Sequence, residues 1–188
     1  MSKGLTIIDK DYTRWVEDLS VRYRQSQIKA AVRVNQELLK YYWELGRDIE
    51  EMHVEERWGQ SVIKNLSVDL QLKNPNSTGL SRTNIYYAKK FYLLYSQYLK
   101  VVPQVVGQLE NGKAQQAVKD SPEIVPQPVG QLEEMLFSIP WGHHRYLIDR
   151  YGTEPAKAFF YVKKTMQEGW SRDVLLNFMD SGLYEREG

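Results

Sequence analysis

Three histidines, 24 carboxylates and no cysteine are the groups from which this chain could build a reactive centre. A metal-dependent nuclease of the PD-(D/E)XK type needs carboxylates with a lysine two residues beyond one of them, so that metal and attacking water are held together. No Asp or Glu here is followed two residues later by lysine. Phosphate-cradling glycine loops, the H-E-x-x-H zinc pattern and the G-x-S-x-G nucleophile turn are missing as well. His143 and His144 are adjacent while His53 is remote in sequence, so a shared metal would need unrelated segments to converge, and a structural or surface role is expected instead. Without cysteine there is no disulfide, thiolate nucleophile or Cys-ligated zinc, which fits a reducing cytoplasm. The expectation is a chain with no catalysis, metal or cofactor of its own.

Binding chemistry is better represented. The 188 residues carry a net charge of only +1, but the charge is uneven. Residues 57–100 hold seven basic side chains against one acidic, a net of +6, while each flanking segment is slightly negative. A basic stretch is either a solvated helix face or a surface for a polyanion. Here it coincides with a helix, a turn and a second helix. Taking 100° per residue, the face opposite Ile85, Ala88 and Tyr92 presents Thr83, Tyr86, Tyr87 and Lys90, with Arg82 at its N-terminal edge. In a helix-turn-helix those positions reach base edges, and Lys64, Lys73, Lys89 and Lys100 would neutralise phosphates. Ser77, Thr78 and Ser81 in the turn would add phosphate contacts. The turn is longer than the usual 3–4 residues, and tyrosines at this density also suit a packing surface.

The elements that must position these groups follow from apolar spacing. Trp15, Leu19 and Tyr23 recur every four residues and predict a helix from about Asp11 to Gln25. Ile28, Val32, Leu38, Leu39, Tyr42, Leu45 and Ile49 predict a long helix over 26–54, which suits a core helix, a coiled-coil arm or a dimer surface. Val62, Leu66 and Leu70, with Ser61 as cap, predict a helix to Lys73, and NPNSTGLS at 74–81 predicts a turn. Ser81 then stands at the N-cap of a helix over about 82–100, with Ile85, Ala88, Tyr92, Tyr95 and Leu99 on its inner face. Residues 101–133 contain four prolines and no aromatic residue and are read as a linker, a short strand within it being compatible with their β-branched content. It holds a near-repeat, VPQVVGQLE at 102–110 and VPQPVGQLE at 125–133, too few copies for a solenoid. Beyond it, the stretch from Leu136 to Arg150 reads as a turn at Ile139-Pro140-Trp141-Gly142-His143 followed by Tyr146, Leu147 and Tyr151 at helical spacing, and further helices are expected from Thr153 to Gln167 and from Ser171 to Gly182. The whole reads as all-α: a helical lobe over 1–100 with a helix-turn-helix-like pair at 61–100, a Pro-rich linker at 101–133 and a C-terminal helical lobe at 134–188. No apolar run approaches the ~20 residues that span a bilayer, and no signal peptide is evident, so a cytoplasmic protein without membrane contact is expected.

The ordered motifs WELGRDI at 43–49, WGQSVIKNLSVDLQ at 58–71, GLSRTNIYYAKKFY at 79–92, IPWGHHRYLID at 139–149, FYVKKTMQEGWSRDVL at 160–175 and SGLYEREG at 181–188 cover nearly the whole chain. In them the chain resembles the N-terminal domain of the bacterial YhcG-like family. The resemblance implies a helical DNA-binding or interaction domain, followed in full-length members by a PD-(D/E)XK nuclease-like domain. This sequence ends at Gly188, where that domain would begin, so the family's catalytic residues have no counterparts in it. It also has the longer duplicated linker, where relatives pass more directly to the PWGH-like turn.

Two functions are therefore weighed. In the first, the chain binds DNA through the basic pair of helices. In the second it is an interaction module that forms a homodimer or docks a nuclease-like domain or partner protein. There Trp141, His143, His144, Trp170 and Arg172 are the candidate contacts, His143, His144 and Arg172 being taken as exposed. The architectural reading of the same motifs makes Trp141 and Trp170 core anchors, Gly142 and Gly169 tight turns, and Ser171 a cap.

Overall fold

The computed structural model describes residues 10–110 and 129–188. Among them there are nine helices and no strand, which makes the fold all-α. These are α1 (Lys10–Glu51), α2 (Val54–Trp58), α3 (Val62–Lys73), α4 (Arg82–Glu110), α5 (Val129–Ser138), α6 (Trp141–Tyr151), α7 (Pro155–Glu168), α8 (Arg172–Asp180) and α9 (Leu183–Glu187). No helix among the described residues is long and apolar enough to cross a membrane.

The first two expected helices are one. Nothing between Gln25 and Ser26 breaks the backbone ladder, so α1 runs 42 residues, about 63 Å at 1.5 Å per residue. Only its last part is buried, through Leu39, Tyr42, Gly46 and Ile49. That face crosses α4 closely, because Gly46 has no side chain. A Cβ built there would lie 2.2 Å from the Ala88 carbonyl oxygen.

The main core draws on both ends of the chain. Leu39 of α1, Phe91 and Tyr95 of α4, Leu136 of α5, Leu147 of α6, Tyr161 and Val162 of α7 and Leu175 of α8 are all fully buried in it. Burial of each such side chain contributes about 2 kcal/mol. The segments before and after residues 111–128 thus share one core, and α4 is the element common to both. Residues 101–110, assigned to the linker from their composition, continue α4 to Glu110. A helix already anchored through buried Leu99 carries across Pro103 at the cost of a backbone hydrogen bond. The second repeat copy enters α5 at Val129, and the middle of the expected linker lies outside the described residues.

A second, smaller core seats the helix pair. Ile49 of α1, Val54 of α2, Ile63 of α3 and Ile85 of α4 meet there, with Leu45, Val62, Leu66 and Leu70 against them. Between α3 and α4 the turn is pinned by side chains of α3 and α1. Ser67 Oγ donates to the Leu80 carbonyl at 2.8 Å, Gln71 Nε2 donates to the same oxygen at 3.0 Å, and Tyr42 OH donates to the Gly79 carbonyl at 2.9 Å. Ser81 caps α4 as its position suggests, accepting from the Asn84 amide at 3.2 Å. Ser81→Ala is expected to lower stability by about 1 kcal/mol, measured by urea unfolding. Ser61, by contrast, makes no side-chain cap.

Candidate nucleic-acid interface

The N-terminal turn of α4 stands beside α2 and the start of α3. Together they form a groove of about 470 Å³ lined by Glu55, Gln60, Ile63, Lys64, Arg82, Thr83 and Tyr86. Ile63 is its apolar floor, held in the second core. Lys64, Arg82, Thr83 and Tyr86, four of the residues selected from sequence, converge on this one surface and are exposed. Neither Lys64 nor Arg82 has a carboxylate within salt-bridge distance among the described residues. One turn further along α4, the Lys90 ammonium lies 4.7 Å from the Tyr86 ring centroid and 6.0 Å from that of Tyr87. The two rings thereby hold the lysine at the groove's end.

Other selected residues are placed differently. Lys89 is turned inward between two carboxylates, 2.5 Å from Glu55 and 3.8 Å from Glu50. Helical spacing cannot show this, because the partners come from α1 and α2. Its charge is satisfied within the fold, and its role there is to tie α4 to those helices. The same pairing occupies Glu55, the one carboxylate in the groove. Tyr87 donates its hydroxyl to both Asp149 oxygens, at 2.7 and 2.8 Å, and this bond raises its pKa above the ordinary tyrosine value. Lys73 is exposed at the end of α3. The Lys100 side chain lies outside the described residues. Ser77 and Thr78 line a separate depression of about 520 Å³ against Tyr41 and Tyr42 of α1, so they do not share the groove of Arg82.

Sequence spacing missed Arg145. It lies 53 residues beyond Tyr92 in sequence order, yet α6 brings its guanidinium 4.8 Å from the Tyr87 ring centroid, on the exposed side. The available signal was its helical offset from Asp149, which bonds that same tyrosine. Gln60 was missed because it precedes α3, outside the periodic stretch.

The residues selected as an exposed contact in the second half are corrected by the structure. His143 and His144 are 7% and 0% exposed. His144 Nε2 bonds the Leu136 carbonyl at 2.8 Å, and Nδ1 lies 3.3 Å from the Tyr95 hydroxyl. Its ring packs edge-on to Phe91 at 4.7 Å. Burial pushes its pKa down to about 3, so the imidazole is neutral. His143 Nε2 bonds the Trp170 carbonyl at 3.1 Å, and burial lowers its pKa too. Both rings are inside because α6 packs against α4 on one side and α8 on the other, so adjacent positions on one helix are both covered. Trp141 is half-buried, its ring tilted against that of Tyr42 at 4.5 Å, with its indole N–H donating to Asn84. Trp170 stacks on Phe178 at 4.4 Å. Arg172 is exposed beside Asp173. Gly142 lies within α6 rather than in a turn, while Gly169 closes α7 in the left-handed conformation and Ser171 caps α8.

No group of three or more metal-ligating side chains is found among the described residues. Comparison with curated proteins and with solved structures gives no match. The family model of the DUF1016 N-terminal domain matches residues 18–186, from the exposed part of α1 through α9 and across both cores. A match over that much of the chain makes this protein a member of the DUF1016 N-terminal domain family.

Proposed function

We propose that this domain is a non-catalytic binder of double-stranded DNA, with the α3–α4 groove as its contact surface. The observation that carries the reading is the convergence of exposed Lys64 and Arg82, neither paired with a carboxylate among the described residues, with Thr83 and Tyr86 at the start of a capped helix. Phosphate oxygens take charge-assisted hydrogen bonds from Lys and Arg, and the unpaired amides at a helix start add a partial positive charge. Lys64, Arg82 and Lys90 then hold the backbone, Thr83 and Tyr86 face the duplex, and Lys73 and Arg145 extend the basic edge. Lys89 is left out of this set because Glu50 and Glu55 neutralise it. The same proposal places the chain in the YhcG-like branch, where it would present duplex to a nuclease-like domain joined beyond its C-terminus.

A salt titration against a labelled duplex and a matched single strand, read by fluorescence anisotropy, tests this. The expected result is duplex preference and an affinity falling steeply with salt. Replacing Lys64 and Arg82 together by alanine should weaken binding by about tenfold and reduce the log–log salt slope by about 2. Unchanged binding by that variant would overturn the site, and no binding at low salt would overturn the function.

A further inference from the structure

Every residue of α1 from Lys10 to Val34 is exposed except half-buried Ser20, although α1 is a continuous helix there. This arm, about 37 Å of helix, projects beyond both cores. Most helical stability in proteins comes from packing an amphipathic face, and this arm packs on no other element of its own domain among the described residues. Its exposed apolar residues lie on two faces: Val21, Ile28 and Val32 continue the line of the buried face, whereas a second set lies where its own domain cannot cover it. Of these, Tyr12, Val16, Leu19, Tyr23, Ala30 and Val34 form a stripe centred about 130° around the helix from the face carrying Leu39, Tyr42, Gly46 and Ile49. Tyr12, Leu19 and Tyr23 are 47%, 41% and 67% exposed.

We infer that this stripe is covered by the same stripe of a second copy, the two arms lying antiparallel about a two-fold axis near residue 21. Two features of the sequence, neither used by the DNA-binding reading, select that occupant and that direction. The first is size. With Leu19 facing the partner's Tyr23, bulky Tyr12 falls opposite the partner's Ala30 and Val16 opposite the partner's Ser26, so large side chains meet small ones. A parallel pair would set Tyr12 on Tyr12 and leave Ala30 and Ser26 facing their own copies. The second is charge. One edge of the stripe carries Asp11 and Asp18 in its first half and Arg22 and Lys29 in its second. Antiparallel pairing brings the acidic half of that edge against the basic half of the partner's, and the Asp18–Arg22 pair within each helix joins a four-charge cluster across the axis. Parallel pairing opposes like charges. The interface is isologous and closes at two copies.

The chain contains no cysteine, so single thiols report the geometry cleanly. Ser20→Cys puts the two thiols across the axis and cross-links only in the antiparallel pair, whereas Ala30→Cys cross-links only in a parallel one. The expected results are a mass of twice 22.1 kDa by light scattering at about 100 µM chain, and a disulfide dimer from Ser20→Cys but not from Ala30→Cys. Leu19→Asp with Tyr23→Asp should give a monomer that unfolds at the same urea concentration in its cores. A monomeric wild-type chain at that concentration overturns the dimer, as does a double variant that stays dimeric. An Ala30→Cys cross-link overturns its direction. Should the double variant fail to fold, the two cysteine variants decide alone. Duplex affinity is read separately, so failure of one proposal leaves the other standing.

Discussion

Gly46→Ala is expected to destabilise the protein by about 2 kcal/mol or more, although alanine is the better helix former by about 1 kcal/mol. The added Cβ would sit 2.2 Å from the Ala88 carbonyl oxygen, 2.8 Å from its carbonyl carbon and 2.9 Å from Tyr92 Cβ. Two of those atoms are backbone, so no rotamer change relieves the clash, and α1 and α4 must separate. Their crossing seats both cores, since Leu39 and Phe91 belong to the larger and Ile49 and Ile85 to the smaller. Separation therefore weakens both at once. Gly142→Ala is the matched comparison, because nothing lies within 4 Å of a Cβ there. That substitution should leave stability unchanged or raise it by a few tenths to about 1 kcal/mol. Urea unfolding of the two variants measures the difference, and equal midpoints would disprove the tight crossing.

Lowering the pH from 8 to 5 is expected to remove about 2 kcal/mol of stability through His144 alone. In the unfolded chain its imidazole has the ordinary histidine pKa near 6.5 and takes up a proton on acidification. In the fold, burial holds it down to about 3. Between those values the unfolded state binds more protons than the native state, so stability is complete above about pH 6.5 and declines as the pH falls toward 3. His143 acts in the same direction, its burial outweighing the bonds to the Trp170 and Ser171 backbone. Urea unfolding of the wild type and of His144→Gln at pH 8, 6.5 and 5 isolates the effect. The variant starts less stable but should lose about 2 kcal/mol less over that range, and parallel losses would show that His144 takes up its proton without unfolding.

These two sites also show where sequence reasoning succeeded and where it stopped. The inner face of α4 was legible because a helix has one geometry: Ile85, Ala88, Tyr92, Tyr95 and Leu99, four or three apart, are all buried. The Ser81 cap was legible for the same local reason, since its hydrogen bond runs to a residue three positions on, and the turn at 74–81 was legible from its own Asn, Pro and Gly content. The convergence of Arg82, Thr83 and Tyr86 on one surface needed only the 100° rule.

Lys89 was read as a phosphate contact, and His143 and His144 as exposed, because their surroundings come from distant segments. A lysine on a basic helix counts as a phosphate contact until Glu50 and Glu55 arrive from 34 or more residues away. Two neighbouring histidines look half exposed until α4 and α8 close on both sides of α6. The length of α1 and the unbroken run of α4 to Glu110 were likewise understated, because composition weighs Pro103 without knowing how firmly the preceding turns are anchored.

From its sequence alone, this protein is an all-α chain with a basic helix pair, since backbone periodicity and local caps are set by residues within a turn or two of each other. Which charges stay free for a ligand, which histidines are sealed inside, and which part of α1 is left without cover were decided only by the tertiary structure. Each depends on contacts between helices far apart in the chain, and their burial and Coulomb energies exist only once α1, α4 and α6 are packed together.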